Sequence, residues 1–270
     1  MNNFDEEEFF VTNKNGHKLS CTFHRQRDPY KDEWNREHVV IVCHGYLSEK
    51  NANFFPELSS DLNQYHSLRF DFHGCGKSDG REQWDYGGYE DEVHSDLRFL
   101  VEYLRDDKKH AYFIRGLVGH SRGGTNILLY ASFYDDIPLI VNIAGRYRLD
   151  QGIRERFTKK QFDELDNNGY FIIKIRQGTE IYRITKEGIN KRCQLDMSKI
   201  EQIKNSSILN IWGDKDDIVP KEDVYLLRDH TKNARKSDII IIEGGDHCFK
   251  GKESQLIRAI HQWIEQRLES

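Results

Sequence analysis

Gly119-His120-Ser121-Arg122-Gly123-Gly124 stands between an apolar run, Ile114 to Gly119, and a helix-periodic run, Gly123 to Tyr134. A Gly-x-Ser-x-Gly in a loop arises by chance in long chains. One that closes a strand and opens a helix is a sharp turn in which each residue type has a reason. Glycine removes the Cβ atoms that a close strand–helix approach would bring into collision. The turn lifts the Ser121 hydroxyl off the sheet edge, beside the amides that begin the helix. A serine is a weak nucleophile until a base takes its proton and a carboxylate orients that base. The stretch therefore predicts a histidine and an acid at neighbouring strand ends.

Upstream, His38-Val-Val-Ile-Val-Cys43 is a continuous β-branched run of the kind buried on both faces of a sheet, and Leu68–Phe72 is another strand. Helix is expected over residues 53–65 and 89–105, the second with Val93, Leu97, Leu100, Val101 and Leu104 on one face. The chain opens on a hairpin, Glu8–Thr12 and His17–His24, turning at Asn15-Gly16. Downstream come strand Leu139–Ile143, strand Ile208–Trp212, helix Lys221–His230, strand Asp238–Ile242 and a helix from Glu253 to Leu268. Strands alternating with helices on short connections predict an α/β fold, a mostly parallel central sheet with helices on both faces. The rhythm breaks where a helix, Ile153–Leu165, is followed by a hairpin, Tyr170–Arg176 and Thr179–Thr185 around Gln177-Gly178. The expected organisation is a core of residues 1–145 and 204–270 with 146–203 inserted as a small cap.

The 270 residues, 37% of them hydrophobic, suffice for one large domain with a sizeable core. A net charge of -5 excludes the basic footprint of a nucleic-acid binder. No apolar run approaches the ~20 residues that cross a bilayer. The start, Met-Asn-Asn-Phe-Asp-Glu-Glu-Glu, lacks the basic and apolar regions of a signal peptide. Cys21, Cys43, Cys75, Cys193 and Cys248 form no C-x-x-C pair. Together these lead to the expectation of a cytoplasmic protein with reduced thiols. No metal is expected either, since the 12 histidines show no H-x-x-x-H spacing, although His44, His73, His120 and His247 are expected to converge near one sheet edge. Gly74-Cys75-Gly76-Lys77-Ser78 imitates the end of a phosphate-binding loop, but position 71, which would have to be Gly, is Asp. The dinucleotide fingerprint fails in the same place, its third glycine falling on Asp79.

The partners that Ser121 requires follow in order. Trp212-Gly-Asp-Lys-Asp-Asp-Ile-Val-Pro220 closes one strand with three carboxylates, and Gly244-Gly-Asp-His247-Cys-Phe249 closes the last strand with a histidine. Both loops fall at C-terminal strand ends, where open α/β sheets bind ligands. At these residues the sequence resembles the α/β-hydrolase superfamily, over essentially the whole chain. His44-Gly45 is similar to that family's oxyanion loop and Asp71–Gly80 to its turn after the next strand. Gly213-x-x-Asp216-x-x-Val219-Pro220 is similar to its acid loop, and Gly245-Asp246-His247 to its histidine loop.

The resemblance implies the α/β-hydrolase fold and a catalytic triad of Ser121, Asp216 and His247, with Asp216 selected over Asp214 and Asp217. It implies an oxyanion hole from the backbone N–H groups of Tyr46 and Arg122, whose side chains are read as pocket-mouth or surface groups. The activity implied is a serine hydrolase cleaving carboxylic esters through an acyl-enzyme, without cofactor. Its partner is a small-molecule ester, with no nucleic acid and no stable membrane association; the oligomeric state is open, a homodimer included. The same machinery serves acyltransferases, thioesterases and aminopeptidases, and the fold also hosts catalytically quiet binding or receptor-like proteins.

The inserted helix and hairpin resemble the lid of small intracellular hydrolases akin to cinnamoyl and feruloyl esterases. Between Arg146 and Arg192, 12 Lys+Arg against 7 Asp+Glu give +5, while the rest of the chain carries -10. Ile153, Phe157, Leu165, Phe171, Ile173, Ile175, Tyr182 and Ile184 supply an apolar underside. The expectation is an apolar acyl or aryl pocket with a basic rim, favouring small substrates with an anionic or polar tail. Long lipids are disfavoured, because no amphipathic membrane-docking helix is present.

Overall fold

Two strand types are visible in the computed structural model, which describes residues 5–62, 64–106, 108 and 110–267. Eight strands share one sheet: β1 (Asp5–Thr12), β2 (Lys18–Arg25), β3 (His38–Cys43), β4 (His66–Phe70), β5 (Phe113–His120), β6 (Leu139–Ile143), β9 (Ser207–Gly213) and β10 (Lys236–Ile242). The other two, β7 (Tyr170–Ile175) and β8 (Glu180–Thr185), pair only with each other, antiparallel. The spatial order of the large sheet is β1-β2-β4-β3-β5-β6-β9-β10. The β1–β2 and β2–β4 pairings are antiparallel and the remaining five parallel. The β1 edge carries exposed Glu6, Glu7 and Glu8, charges that discourage another strand from adding there.

Successive side chains of a strand point to opposite faces, and β3 shows what that does here. Val39, Ile41 and Cys43 join the core under α3 (Arg98–Arg105), α4 (Arg122–Tyr134) and α8 (Lys221–His230). Val40 and Val42 join the core under α1 (Phe55–Asp61) and α9 (Glu253–Glu265). The α/β sheet with helices on both faces is thus as the alternation predicted. The helix expected at 89–105 is present with Val93, Leu97, Leu100, Val101 and Leu104 all buried. Its course is not uniform: α2 (Tyr89–Asp91) runs into one wide π turn, Glu92–Leu97, before α3. Such turns change the facing of the residues within them and recur at functional sites.

Three local expectations shift. The strand expected at Leu68–Phe72 is His66–Phe70, because Asp71 leaves the ladder and turns its carboxylate onto the N–H groups of Lys50 (2.6 Å) and Lys77 (2.9 Å). That carboxylate takes up the Lys77 amide of the Gly-Cys-Gly-Lys-Ser turn. The helix expected at 53–65 contracts to α1. The helix expected at Ile153–Leu165 breaks into α5 (Ile153–Arg156) and α6 (Lys159–Asn168). Phe157 is extended, and Thr158 starts α6 with a capping box, exchanging side-chain bonds with Gln161. A further helix, α7 (Lys186–Gln194), follows β8, opened by Thr185 accepting from the Gly188 N–H at 2.9 Å.

The elements from α5 to α7 build a third apolar cluster. Ile153, Phe157, Leu165, Phe171, Tyr182 and Ile184 meet Cys75, Trp84 and Tyr86 from the loop after β4. Burying a side chain of this size contributes about 1.5–3 kcal/mol, so this contact holds the segment against the body without sharing the large sheet. Gly87 and Gly188 touch where the two meet, and a Cβ on Gly87 would run into the Gly188 carbonyl and Lys191.

Candidate active site

Ser121 lies between the end of β5 and the start of α4 with φ 54° and ψ -116°. That region costs a residue with a Cβ on the order of 1–3 kcal/mol, and it persists only where the surroundings impose it. Here the Ser121 N–H donates to the Ile143 carbonyl (2.8 Å) and the Ser121 carbonyl accepts from the Thr125 N–H (3.1 Å). A Cβ on Gly119 would collide with the Gly123 carbonyl, and one on Gly123 with the carbonyls of Cys43 and His44. Both glycines are therefore fixed by the close approach of β5, α4 and the end of β3.

The three residues expected to act together are together. The Ser121 hydroxyl lies 3.0 Å from His247 Nε2, and His247 Nδ1 lies 2.8 Å from Asp216 Oδ2. A carboxylate only accepts, so Nδ1 carries the proton and Nε2 is left to accept from Ser121. The other oxygen of Asp216 accepts from the N–H groups of Ile218 (2.8 Å) and Val219 (2.9 Å), which fix the buried carboxylate in place. Of its neighbours, Asp214 accepts from the Gly244 N–H (2.6 Å) and ties the histidine loop to the acid loop, and Asp217 is exposed. A Cβ on Gly213 would strike the Gly245 carbonyl, so the two loops lie backbone against backbone.

Three further groups hold this arrangement from behind. His120 bonds the His247 carbonyl through Nε2 at 2.8 Å. Burial, with the neighbouring His247 second, pushes the His120 pKa down to about 3, so it donates from that nitrogen as a neutral ring. His44 donates from Nδ1 to the Gly45 carbonyl (2.8 Å) and accepts at Nε2 from the Phe72 N–H (3.0 Å). It pins the loop carrying Tyr46, and a Cβ on Gly45 in that loop would press on the Ser121 Cβ at 3.2 Å. Glu92, placed by the π turn, receives Arg122 Nε on both oxygens (2.8 and 3.0 Å) and Asn126 Nδ2 (2.7 Å).

Arg122 occupies the first position of α4, where the backbone N–H has no acceptor within the helix. Its side chain corrects the expectation of a pocket-mouth or surface group. It is buried, bonded also to the carbonyls of Tyr86 (2.7 Å) and Asp85 (3.2 Å), and stacked 3.9 Å over Tyr89. The Tyr46 ring is half-buried against Trp84 and Tyr86. The four histidines expected near one sheet edge form no common metal-holding group among the described residues. His120 and His247 are ring neighbours, but His44 is taken by its own loop, and His73 by Asp96 at 2.7 Å and by stacking on His17. Among the described residues no group of three His, Cys, Asp or Glu is placed to hold a metal ion.

A cavity of about 870 Å³ opens against the acid loop, walled by Arg146, Ile153, Arg156, Ile218 and Pro220, with Asp150, Arg154, Glu155 and Asp217 among its outer residues. The apolar pocket with a simple basic rim is not what is seen there: the exposed lining is of mixed sign, and the arginines at positions 146 and 156 are the less exposed. Sequence reasoning singles out neither Glu92 nor Asn126, and His120 only as one of four histidines expected near one sheet edge. The one signal for Glu92 was an acid four residues before Asp96 beside the buried Val93 and Leu97 stripe.

Comparison with known proteins agrees with the fold. A family model described as the alpha/beta hydrolase fold matches residues 38–169. No curated relative matches the sequence. Among solved structures, Est1E from Butyrivibrio proteoclasticus with ferulic acid bound is similar at a TM-score of 0.74 and 18% identity, over 97% of this chain and 100% of that one. The Pyrococcus furiosus esterase Pf2001 gives 0.74 and 18%, over 97% and 91%. The alpha/beta hydrolase GrgF from Penicillium sp. sh18 gives 0.75 and 15%, over 98% and 99%. At such identities it is the fold that is shared.

Proposed function

We propose that this chain, which has the α/β-hydrolase fold, is a serine hydrolase that cleaves small carboxylic esters through an acyl-enzyme. The observation that carries the reading is the relay Ser121–His247–Asp216, at 3.0 and 2.8 Å, on a serine held at φ 54°. In the first half-reaction Ser121 Oγ bonds to the ester carbonyl carbon while its proton passes to His247 Nε2. The carbonyl oxygen becomes an oxyanion that accepts from the backbone N–H groups of Tyr46 and Arg122. Each such donor stabilises the transition state by about 2.7–4 kcal/mol. The C–O bond then breaks, and His247 returns the proton to the departing alkoxide. Water, deprotonated by His247, attacks the acyl-enzyme in the second half, releasing the acid and restoring the Ser121 hydroxyl. Asp216 keeps its charge throughout and balances the imidazolium.

Segment 146–203 is read as the cap of this site, on a core of 1–145 and 204–270. The separate two-stranded sheet and the apolar contact with Trp84 and Tyr86 support that division. The Est1E and Pf2001 structures, one holding ferulic acid and the other an esterase by name, favour ester hydrolysis within the fold. Five free cysteines fit a reducing cytoplasm, and no helix among the described residues is long and apolar enough to cross a membrane. The test is hydrolysis of p-nitrophenyl esters of increasing acyl length, with methyl ferulate beside them. Turnover highest on short or aryl esters and lost in Ser121→Ala is expected. Absence of turnover on every ester rejects the esterase reading.

A further inference from the structure

We infer that Arg146, Arg156 and Arg192 form, under the inserted segment, a subsite for a carboxylate carried by the ester substrate. The inference rests on the esterase reading above and names its substrate class. The three guanidiniums come from three elements, the end of β6, α5 and α7, and none forms an ion pair among the described residues. Arg146 donates to the carbonyls of Gln151 and Ile218, Arg192 to that of Leu149, and Arg156 stacks 4.9 Å over the Tyr46 ring. Arg146 and Arg192 are buried and Arg156 half-buried. Burying a cation without an opposite charge is unfavourable, and the usual solution is the one Arg122 adopts with Glu92. Burial lowers the Arg146 pKa, the charge of Asp223, itself paired with Arg148 at 2.7 Å, opposes that, and the charges of Arg192 and Arg156 lower it further, so the three cations act on one another.

A second observation comes from neutral groups. The Tyr46 and Tyr86 hydroxyls and Arg192 Nε are buried without a hydrogen-bond partner. They belong to the same place: the Tyr46 and Tyr86 rings are 5.6 Å apart, and the Arg192 guanidinium lies 5.4 Å from the Tyr86 ring. Unused donors beside unpaired cations suit an acceptor-only anion, and a planar carboxylate matches the guanidinium fork. The position also fits the chemistry. Arg146 bonds the carbonyl of Ile218, two residues past Asp216, while Arg156 covers Tyr46, whose neighbour Gly45 abuts Ser121. The cavity walled by Ile153, Ile218 and Pro220 has Arg146 and Arg156 in its lining, and a substrate whose carbonyl is at Ser121 would extend its charged end towards them. The exposed carboxylates Asp150, Glu155 and Asp217 at the mouth limit this to a single negative charge.

The experiment measures kcat/KM for two isosteric pairs, one with the charge on the acyl side and one with it on the alcohol side. The first is p-nitrophenyl hydrogen succinate against p-nitrophenyl 4-methylpentanoate; the second is carboxymethyl butyrate against isobutyl butyrate. The anionic member should be favoured by about tenfold or more in one pair, as expected for a charge-assisted hydrogen bond. That ratio should collapse towards one in Arg156→Gln and, independently, in Arg192→Gln. Ratios near one in both pairs, with the neutral esters turned over, overturn the subsite and leave the esterase reading intact. Failure to turn over any ester rejects the esterase reading instead. The subsite is then decided by calorimetric titration of the Ser121→Ala protein with p-nitrophenyl hydrogen succinate and its neutral partner, where equal binding overturns it.

Discussion

The strand-end loops and the layer under the inserted segment both bury charge near Ser121, and they treat it differently. Around Ser121 each buried charge is met: Asp216 by the N–H of the neutral His247 ring and two backbone N–H groups, and Arg122 by the carboxylate of Glu92. Under the segment, Arg146 and Arg192 are as buried as Arg122, yet their bonds go to carbonyls. The first region is complete within the chain. The second has donor capacity left over. Machinery that must hold one geometry is internally satisfied, whereas a surface that recognises a ligand leaves its own polar groups to be met by that ligand.

Substitutions separate the two regions. The largest effect belongs to the triad: Asp216→Asn should lower kcat by about four orders of magnitude, the template value for losing the tautomer-fixing carboxylate, with circular dichroism unchanged. Asp214→Asn, which loses only its loop-tying bond to Gly244, should cost far less. A greater loss in Asp214→Asn would show that the acid has been assigned one turn too late.

Next comes stability. Glu92→Gln strands the buried Arg122 guanidinium and should destabilise by about 3–5 kcal/mol, which lowers Tm on the order of 10 °C for a chain of this size. Arg156→Gln removes a cation that has no carboxylate to leave behind, so Tm should stay level or rise. Equal losses in the two variants, read by thermal melts, would erase the contrast between satisfied and unsatisfied charge.

A smaller effect reads the same rule through pH. Burial opposes charge on His73, but the hydrogen bond and charge of Asp96, with Glu92 and Asp91 behind them, raise its pKa to about 9. A folded value above the unfolded ~6.5 means that the stabilisation is fully present below that pH and is lost as pH rises through about 9. The Tm difference between the wild type and His73→Gln should therefore shrink on going from pH 6 to pH 9.5. A difference that grows with pH would mean that His73 is buried neutral. His120 has the opposite sign: with its pKa near 3, it costs stability as pH falls below ~6.5 and the unfolded ring takes up a proton.

Legibility followed the same division. The parallel strands were readable because β3 and β9 are buried on both faces and so are mostly apolar. The elbow was readable because Gly119 and Gly123 have no alternative at that approach. The order Ser121, Asp216, His247 then followed from loops that end strands. What sequence did not disclose depended on contacts between distant segments. Glu92 is turned inward by a π turn that a uniform helical period cannot register. The break at Phe157-Thr158 answers to a local cap that outweighs the apolar spacing of Ile153, Phe157 and Leu165. Helix α7 went unread because Lys186–Gln194 holds a glycine and little apolar periodicity, its docking being supplied by Gly87 and Asp85 of the core. The excess of positive charge in the segment was visible, but which arginines are buried was not.

The central claim is that Ser121 is a nucleophile activated by His247. It is tested most directly by incubating the protein with a fluorophosphonate at neutral pH and weighing the intact product. The account predicts one adduct per chain, mapped to Ser121, absent in Ser121→Ala and formed far more slowly in His247→Ala. No adduct in the wild type, or an adduct that persists in Ser121→Ala, would contradict it.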